Sequence, residues 1–360
     1  MPNKFNQFIH RQFRKNETAL HELNYLFWEC TRRCNIKCLH CGSDCSAEAA
    51  VEDMPFDDFL RAILSLQKVS ARNSITIAIT GGEPLMRKDL ARCGRALREN
   101  GFLWGIVTNG YAYTQDVHAK LLAAGMGAIT VSLDGLEDTH NWLRGNSNSF
   151  ARAVNALKMI RSVPGLAYDV VTCVNPRNIN ELPALKEFLI AEQIKAWRLC
   201  TIAPIGRAAE NGDLRLSPAE VKQLMDFIVD ARKDTRMATQ FSCESHTGQY
   251  EQKVRDSCFF CHAGVNIASV LIDGSISACP NINRHFVQGN IYQDNFLDVW
   301  ENRFDVMRNR TWTKTGPCLE CGDFKDCLGG AMHLWKENQD ANQGCIRHRL
   351  DALTQQTEEI

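Results

Sequence analysis

Three common features are missing from this chain of 360 residues: a secretory signal, a membrane span and an excess of charge of one sign. The opening stretch, MPNKFNQFIHRQFRKN, has neither the apolar core nor the small-residue cleavage site of an export signal. No apolar run approaches the roughly 20 residues that cross a bilayer. The expected location is therefore the reducing cytoplasm, with no membrane span. Lysine and arginine (41) nearly cancel aspartate and glutamate (42), so no global field recruits nucleic acid or anionic lipid. Low-complexity tracts are absent, and the hydrophobic (44%) and charged (23%) fractions are those of an ordinary globular protein. Cysteine, by contrast, is abundant at sixteen residues. Disulfides explain that poorly in a reducing compartment, so the thiols are read as metal ligands or redox groups, and their spacing must decide.

The length suits one large domain plus a smaller one. From residue 23 to about 210, β-rich runs alternate with helical stretches. Six strands are expected at 23–30, 74–80, 102–108, 128–133, 168–174 and 196–202. Six units are too few for a complete eight-stranded barrel, so a doubly wound sheet and an open, partial barrel both fit. Either collects ligands at the carboxyl ends of its strands. Four motifs fall there: CNIKCLHC after the first strand, GGEP after the second, TNG ending the third and SLDG ending the fourth. Residues 1–22 form an N-terminal extension in which Phe5, Phe8, Ile9 and Phe13 share one helical face, bordered by Lys4, Arg11, Arg14 and Lys15. The preferred reading is a helix packed on its own domain; contact with a membrane surface or partner is the alternative.

Cys34, Cys38 and Cys41, at steps of four and three, can point three thiolates at one cubic iron-sulfur cluster and leave its fourth iron open for a ligand. Zinc is the competing reading, with Cys30 or Cys45 as a fourth ligand, but the spacing fits zinc less well.

On these residues the chain resembles the radical S-adenosylmethionine (SAM) enzymes, whose signature is C-x3-C-x2-C after the first strand. The resemblance implies a partial (β/α)6 TIM-type barrel, an α/β fold. It implies a 4Fe-4S cluster on Cys34, Cys38 and Cys41, with SAM chelating the open iron. It also implies that the backbone around Gly81, Gly82 and Glu83 meets the SAM amino group, and that TNG, SLDG and LRG (143–145) serve its ribose, carboxylate and sulfonium region. Asn109, Ser132 and Arg144 are the expected SAM-holding side chains, with Arg144 opposing the carboxylate. The activity implied is reductive cleavage of SAM to a 5'-deoxyadenosyl radical that abstracts hydrogen from carbon.

Cys261, Gly274 and Cys279, followed by Cys318, Cys321, Cys327 and Cys345, resemble the SPASM extension of that family, which implies one or two auxiliary 4Fe-4S clusters. The pattern's sixth cysteine falls on Ala331. The second auxiliary cluster keeps a full set, Cys318, Cys321, Cys327 and Cys345. The first has Cys261 and Cys279, with Cys258 as third ligand; Cys243 as fourth is preferred over His262 or an open iron. A zinc ribbon is the competing reading of this field. The resulting division is 23–210 for the barrel, 211–240 for a connecting helix, 241–348 for the small cysteine-rich SPASM domain and 349–360 for a tail. Cys30, Cys45, Cys93, Cys173 and Cys200 are expected to be small buried hydrophobes, and His40 to pack rather than ligate.

The resemblance implies an oxidoreductase or peptide-modifying enzyme acting on a peptide or protein, with auxiliary clusters accepting an electron or gripping the substrate. A small molecule such as a tetrapyrrole is the alternative substrate. A non-catalytic electron carrier or metal-binding module is the reading of another class, and GGEP and the open iron argue against it. Pro280, where sulfatase-maturing relatives carry an acid, argues against that activity. A low-potential donor such as flavodoxin or ferredoxin is an implied partner. With only a short extension before residue 23, a peptide substrate calls for a separate recognition protein or for direct binding in the barrel.

Overall fold

The computed structural model describes residues 4–242, 244–335 and 344–358. Ten strands make one sheet: β1 (Tyr25–Thr31), β2 (Thr76–Gly81), β3 (Leu103–Thr108), β4 (Ala128–Ser132), β5 (Ala167–Val174), β6 (Ala196–Thr201), β7 (Ala238–Phe241), β8 (Ile267–Val270), β9 (Ser275–Ser277) and β10 (Gly289–Asn290). Their order is β10-β9-β8-β1-β2-β3-β4-β5-β6-β7, so the sheet is open. From β8 through β7 all pairs are parallel, and β9 and β10 add an antiparallel edge.

β1 to β6 lie where the hydrophobic runs placed them. The middle of β2 is buried on both faces at Ile77, Ala78 and Ile79, whereas β5 and β6 alternate buried with half-buried residues. β7 and β8 extend the sheet at its two edges, out of the segments expected to be a connecting helix and a cysteine-rich domain. Each is four residues long, too short for a periodic signal.

Twelve helices are described: α1 (Lys4–Leu20), α2 (Phe56–Ile63), α3 (Leu90–Glu99), α4 (Gln115–Ala123), α5 (Glu137–Arg144), α6 (Ser149–Ile160), α7 (Leu182–Ala191), α8 (Pro218–Ala231), α9 (Phe296–Asn302), α10 (Asp305–Arg308), α11 (Phe324–Cys327) and α12 (Ile346–Glu358). The crossover helices bury apolar residues at three- and four-residue steps, for example Ala153, Ala156, Leu157 and Ile160 of α6. At β1, Trp28 stacks on Phe59 of α2 with ring centroids 4.6 Å apart. α8 starts at a capping box, with Ser217 and Glu220 satisfying each other's backbone amides around Pro218.

α1 corrects the sequence expectation in one respect. It does pack on its own protein, but through its polar side. Arg14 is buried and donates to the carbonyls of Asp326 and, at 2.8 Å, Lys325. His10 Nε2 lies 3.1 Å from the Phe259 carbonyl, and Glu17 accepts from Asn266 at 3.0 Å. Phe5, Phe8, Ile9 and Phe13 point outward and are exposed. Hydrophobic periodicity identifies a face; it does not say which face the protein covers.

Candidate active site

The loop after β1 is clamped on several sides. The Cys34 amide donates to the Ser46 carbonyl (2.8 Å) and the Leu39 amide to the Leu143 carbonyl (2.8 Å). The Arg207 guanidinium donates to the carbonyls of Cys38 and, at 2.8 Å, Cys45. The amides of Gly82 and Glu83 reach back to the carbonyls of Thr31 (2.8 Å) and Arg33 (2.9 Å). A Cβ on Gly82 would stand 2.3 Å from the Arg33 carbonyl oxygen, so glycine is required for that approach.

This clamp gathers Cys34, Cys38 and Cys41. Cys34 and Cys38 are buried, and burial pushes the Cys34 thiol up to about 12 and raises Cys38 as well. Cys41 is held down at about 5, chiefly by a hydrogen bond from the Cys45 thiol, which is pushed upward in return. Charge on Cys38 or Cys41 raises Cys34 further, and charge on Cys41 raises Cys38. Among the described residues, the one trio of donor atoms all within 4.8 Å is His40, Asp134 and Cys173. Asn109 Nδ2 and Arg144 Nη1 approach the sulfurs of Cys34 and Cys38, each at 3.7 Å.

The expected SAM residues converge beside this trio. Glu83 is buried and accepts from Thr108 Oγ1 (2.8 Å), the Asn109 amide (2.8 Å) and the Leu85 amide (3.2 Å). Burial still pushes its carboxyl up to about 6. Its side chain thus ties β2 to β3 and leaves the GGEP backbone to line the site. Asn109 donates to Asn35 Oδ1 (2.8 Å), linking β3 to the cysteine loop. Ser132 is buried at the end of β4. Arg144, the last residue of α5, donates from Nε to Asp134 Oδ2 at 2.5 Å. Burial alone would lower that guanidinium; the Asp134 charge overrides it and raises it.

Asp134, in SLDG, was not singled out from the sequence. It is fully buried, and its Oδ1 accepts from the Cys173 amide at 2.9 Å. Burial raises its carboxyl, but the charges of Arg144, His40 and His140 hold it below the usual range. His40 Nε2 lies 3.9 Å from Asp134 Oδ2. Cys173 and Cys200, paired across β5 and β6, are half-buried with sulfurs 3.6 Å apart, so they line the strand ends instead of filling a core.

In the second field Cys318, Cys321, Cys327 and Cys345 face one another. Burial first, then the charge of Cys345 and Cys321, pushes Cys318 up to about 11; burial with the other three thiols pushes Cys327 up to about 12. Arg347 Nη1 lies 3.2 Å from Cys321 Sγ. Cys258 Sγ accepts from Gln252 Nε2 at 3.1 Å, and Cys261 lies beside Arg310, whose charge lowers it against the effect of burial. Cys279 is half-buried, and His262 is paired with Asn266 at 2.9 Å. Ala331 is fully buried, with its amide on the Glu244 carbonyl at 3.2 Å. Cys243 lies outside the described residues. None of the fifteen described cysteines is joined in a disulfide.

Residues 28–189 match the radical SAM superfamily, and residues 261–322 match SPASM, an iron-sulfur cluster-binding domain. The chain is a radical SAM enzyme with a C-terminal SPASM domain. Its cofactors are 4Fe-4S clusters and SAM. This radical SAM enzyme is 26% identical to an AdoMet-dependent heme synthase of Methanosarcina barkeri, over 84% of this chain and 89% of the relative. It is 28% identical to the mycofactocin maturase MftC of Mycolicibacterium smegmatis, over 85% and 77% of the two chains. Its fold is similar to that of Streptococcus suis SuiB bound to precursor peptide SuiA, with a TM-score of 0.65, 18% identity and coverage of 89% and 74%. No described helix is long and apolar enough to cross a membrane.

Proposed function

We propose that Cys34, Cys38 and Cys41 hold the cluster that binds SAM, and that this enzyme abstracts hydrogen from a peptide substrate in a net oxidation. The observation that carries the reading is the clamped cysteine loop, with Cys34 and Cys38 buried, next to GGEP and the Asp134–Arg144 pair. When bound, the cluster and SAM supply a 5'-deoxyadenosyl radical. The chain's own residues position and shield it. Gly82 lets the loop after β2 approach the cysteine loop, Asn109 and Arg144 place donors near its sulfurs, and Asp134 fixes the Arg144 guanidinium with one of its donors committed. Gly81, Gly82 and Glu83 present backbone to the methionyl amino group, and Ser132 lines the same mouth.

Cys318, Cys321, Cys327 and Cys345 hold one auxiliary cluster. Cys258, Cys261 and Cys279 hold another, with Cys243 as its fourth ligand. A low-potential donor such as a flavodoxin or ferredoxin reduces the enzyme. Support for a peptide substrate comes from the maturase relative and from the fold shared with a peptide-bound enzyme. The two Methanosarcina barkeri relatives, a heme synthase and an Fe-coproporphyrin III synthase at 27% identity, support a tetrapyrrole as the second reading.

The reduced, reconstituted enzyme should release 5'-deoxyadenosine from SAM, and the Cys34→Ala variant should not. Deuterium passing into that product from a labelled precursor peptide supports the first reading; deuterium from a labelled porphyrin propionate moves the assignment to the second. No cleavage at all would sink both.

A further inference from the structure

β5 and β6 carry a dithiol that neither the cluster sites nor the SAM contacts use. The two strands run parallel with Cys173 directly opposite Cys200, each one residue before its strand ends. Directly opposed residues on neighbouring strands put their side chains on the same face, with Cα atoms about 4.8 Å apart, inside the roughly 4.4–6.8 Å that a disulfide spans. The sulfurs already stand 3.6 Å apart. Both cysteines are half-buried at the carboxyl ends of their strands, whereas Cys30 and Cys93 are fully enclosed in the core.

The two thiols are also chemically unequal. A hydrogen bond from the Cys200 thiol holds Cys173 down at about 5, and that bond together with burial pushes Cys200 up. One sulfur is thus a nucleophile and the other a protonated partner beside it, the arrangement of an attacking and a resolving thiol. Metal binding is a poorer reading, although Cys173 Sγ, a His40 nitrogen and an Asp134 oxygen lie within 4.8 Å of one another. Asp134 commits Oδ1 to the Cys173 amide at 2.9 Å and Oδ2 to Arg144 at 2.5 Å, so a cation there would face the guanidinium.

We propose that Cys173 and Cys200 are a redox-active pair that closes to a disulfide, with a low-molecular-weight disulfide such as oxidised glutathione as the oxidant. The Cys173 thiolate attacks one glutathione sulfur and expels the other glutathione as its thiolate. Cys200 then gives up its proton and displaces the second glutathione from Cys173. The protein dithiol loses two electrons, and the glutathione disulfide gains them to become two molecules of glutathione. Closure brings the sulfurs from 3.6 Å to about 2.05 Å and removes the Cys173 charge that faces Arg144 and Asp134. Because the Cys173 amide also holds Asp134, the oxidised enzyme should retain SAM less well. That consequence rests on the role proposed above for Arg144; formation of the disulfide does not.

The test uses the anaerobically reconstituted full chain, equilibrated with glutathione buffers of graded ratio, then alkylated and digested with trypsin. Trypsin leaves Cys173 as the sole cysteine of residues 162–177 and Cys200 as that of 199–207, so the linked pair has a mass of its own. The linked peptide should accumulate as the oxidised fraction rises and disappear on return to reduced glutathione, with iron content unchanged. Cys200→Ser, which keeps a hydroxyl for the Thr172 carbonyl, should trap glutathione on Cys173 instead. Retention of SAM in equilibrium dialysis should fall about tenfold in the oxidised parent and recover on reduction, while Cys173→Ser/Cys200→Ser should not respond to the buffer. Recovery of both cysteines as alkylated thiols at every ratio overturns the inference, and so does a linked peptide that forms only after the iron is lost. A reversible linked peptide with SAM retention unchanged upholds the pair and sinks its coupling to Asp134 and Arg144.

Discussion

His140 shows how one side chain near the site writes itself into the pH response. It is buried, its Nδ1 accepts the Asp134 amide at 2.9 Å, and burial pushes its imidazole down to about 3 although the Asp134 charge pulls the other way. In the unfolded chain the ring titrates near its ordinary value of about 6.5. Between those values the unfolded chain binds the extra proton, so stability falls as the pH drops below about 6.5 and is unaffected by this group above it. From pH 7.5 to pH 5 the loss should be about 2 kcal/mol. His140→Gln keeps an acceptor but cannot charge, so denaturant unfolding should show a smaller acid loss than in the parent. Equal losses would mean the ring is already protonated, or accessible, in the folded protein. The residues that carry this chemistry were only partly visible in advance. Arg144 stands out through its motif, but Asp134 becomes important only when the fold places it 2.5 Å from that guanidinium.

Among the elements, α5 matters most, because its C-terminus delivers Arg144 and then must stop. It ends at Gly145, in the left-handed region at φ 64°, where a Cβ would stand 2.6 Å from the Lys37 carbonyl oxygen inside the cysteine loop. Gly145→Ala should cost about 1–3 kcal/mol and displace the segment between Cys34 and Cys38. The electron paramagnetic resonance signal of the SAM-binding cluster should fall accordingly. Gly165→Ala is the control: it has the same sign of φ, 74°, with nothing within 4 Å of the added Cβ, so it should show the backbone strain alone and keep the signal. If both variants keep the signal, the contact with Lys37 does not hold the loop. The eight residues of α5 carry few apolar positions and so give little periodic signal, whereas β1 to β6 are marked by short β-rich runs.

For the whole molecule the decisive quantity is the number of clusters per chain. Two sets of thiols, Cys34 with Cys38 and Cys41, and Cys318 with Cys321, Cys327 and Cys345, lie near enough for charge on one to raise another. With a third at Cys258, Cys261, Cys279 and Cys243, anaerobic reconstitution should load about 12 irons, falling to about 8 when Cys34, Cys38 and Cys41 become alanine. About 8 irons in the intact chain would mean that Ala331 marks an incomplete auxiliary site, and the oxidative reading would lose its main support. The sheet bears on this count as well: β8, from the cysteine-rich part, pairs with β1 in parallel, so that part is built onto the barrel edge and does not hang from a linker.

The chain's local patterns determined the cofactor class and the order of the strands. A cluster loop is a matter of spacing within eight residues, and a strand of the parallel sheet is a matter of a short β-rich run, so both can be read without knowing what packs where. Contacts between distant residues were decided only by tertiary structure. Cys173 meets Cys200 because β5 and β6 are in register, and Asp134 meets Arg144 because α5 ends with that guanidinium back beside the SLDG loop. α1 turns its phenylalanines outward because Arg14 finds two carbonyls at the start of α11, more than 300 residues away. Burying that guanidinium is tolerable only with those acceptors in place, and no pattern within the helix could reveal that they were there.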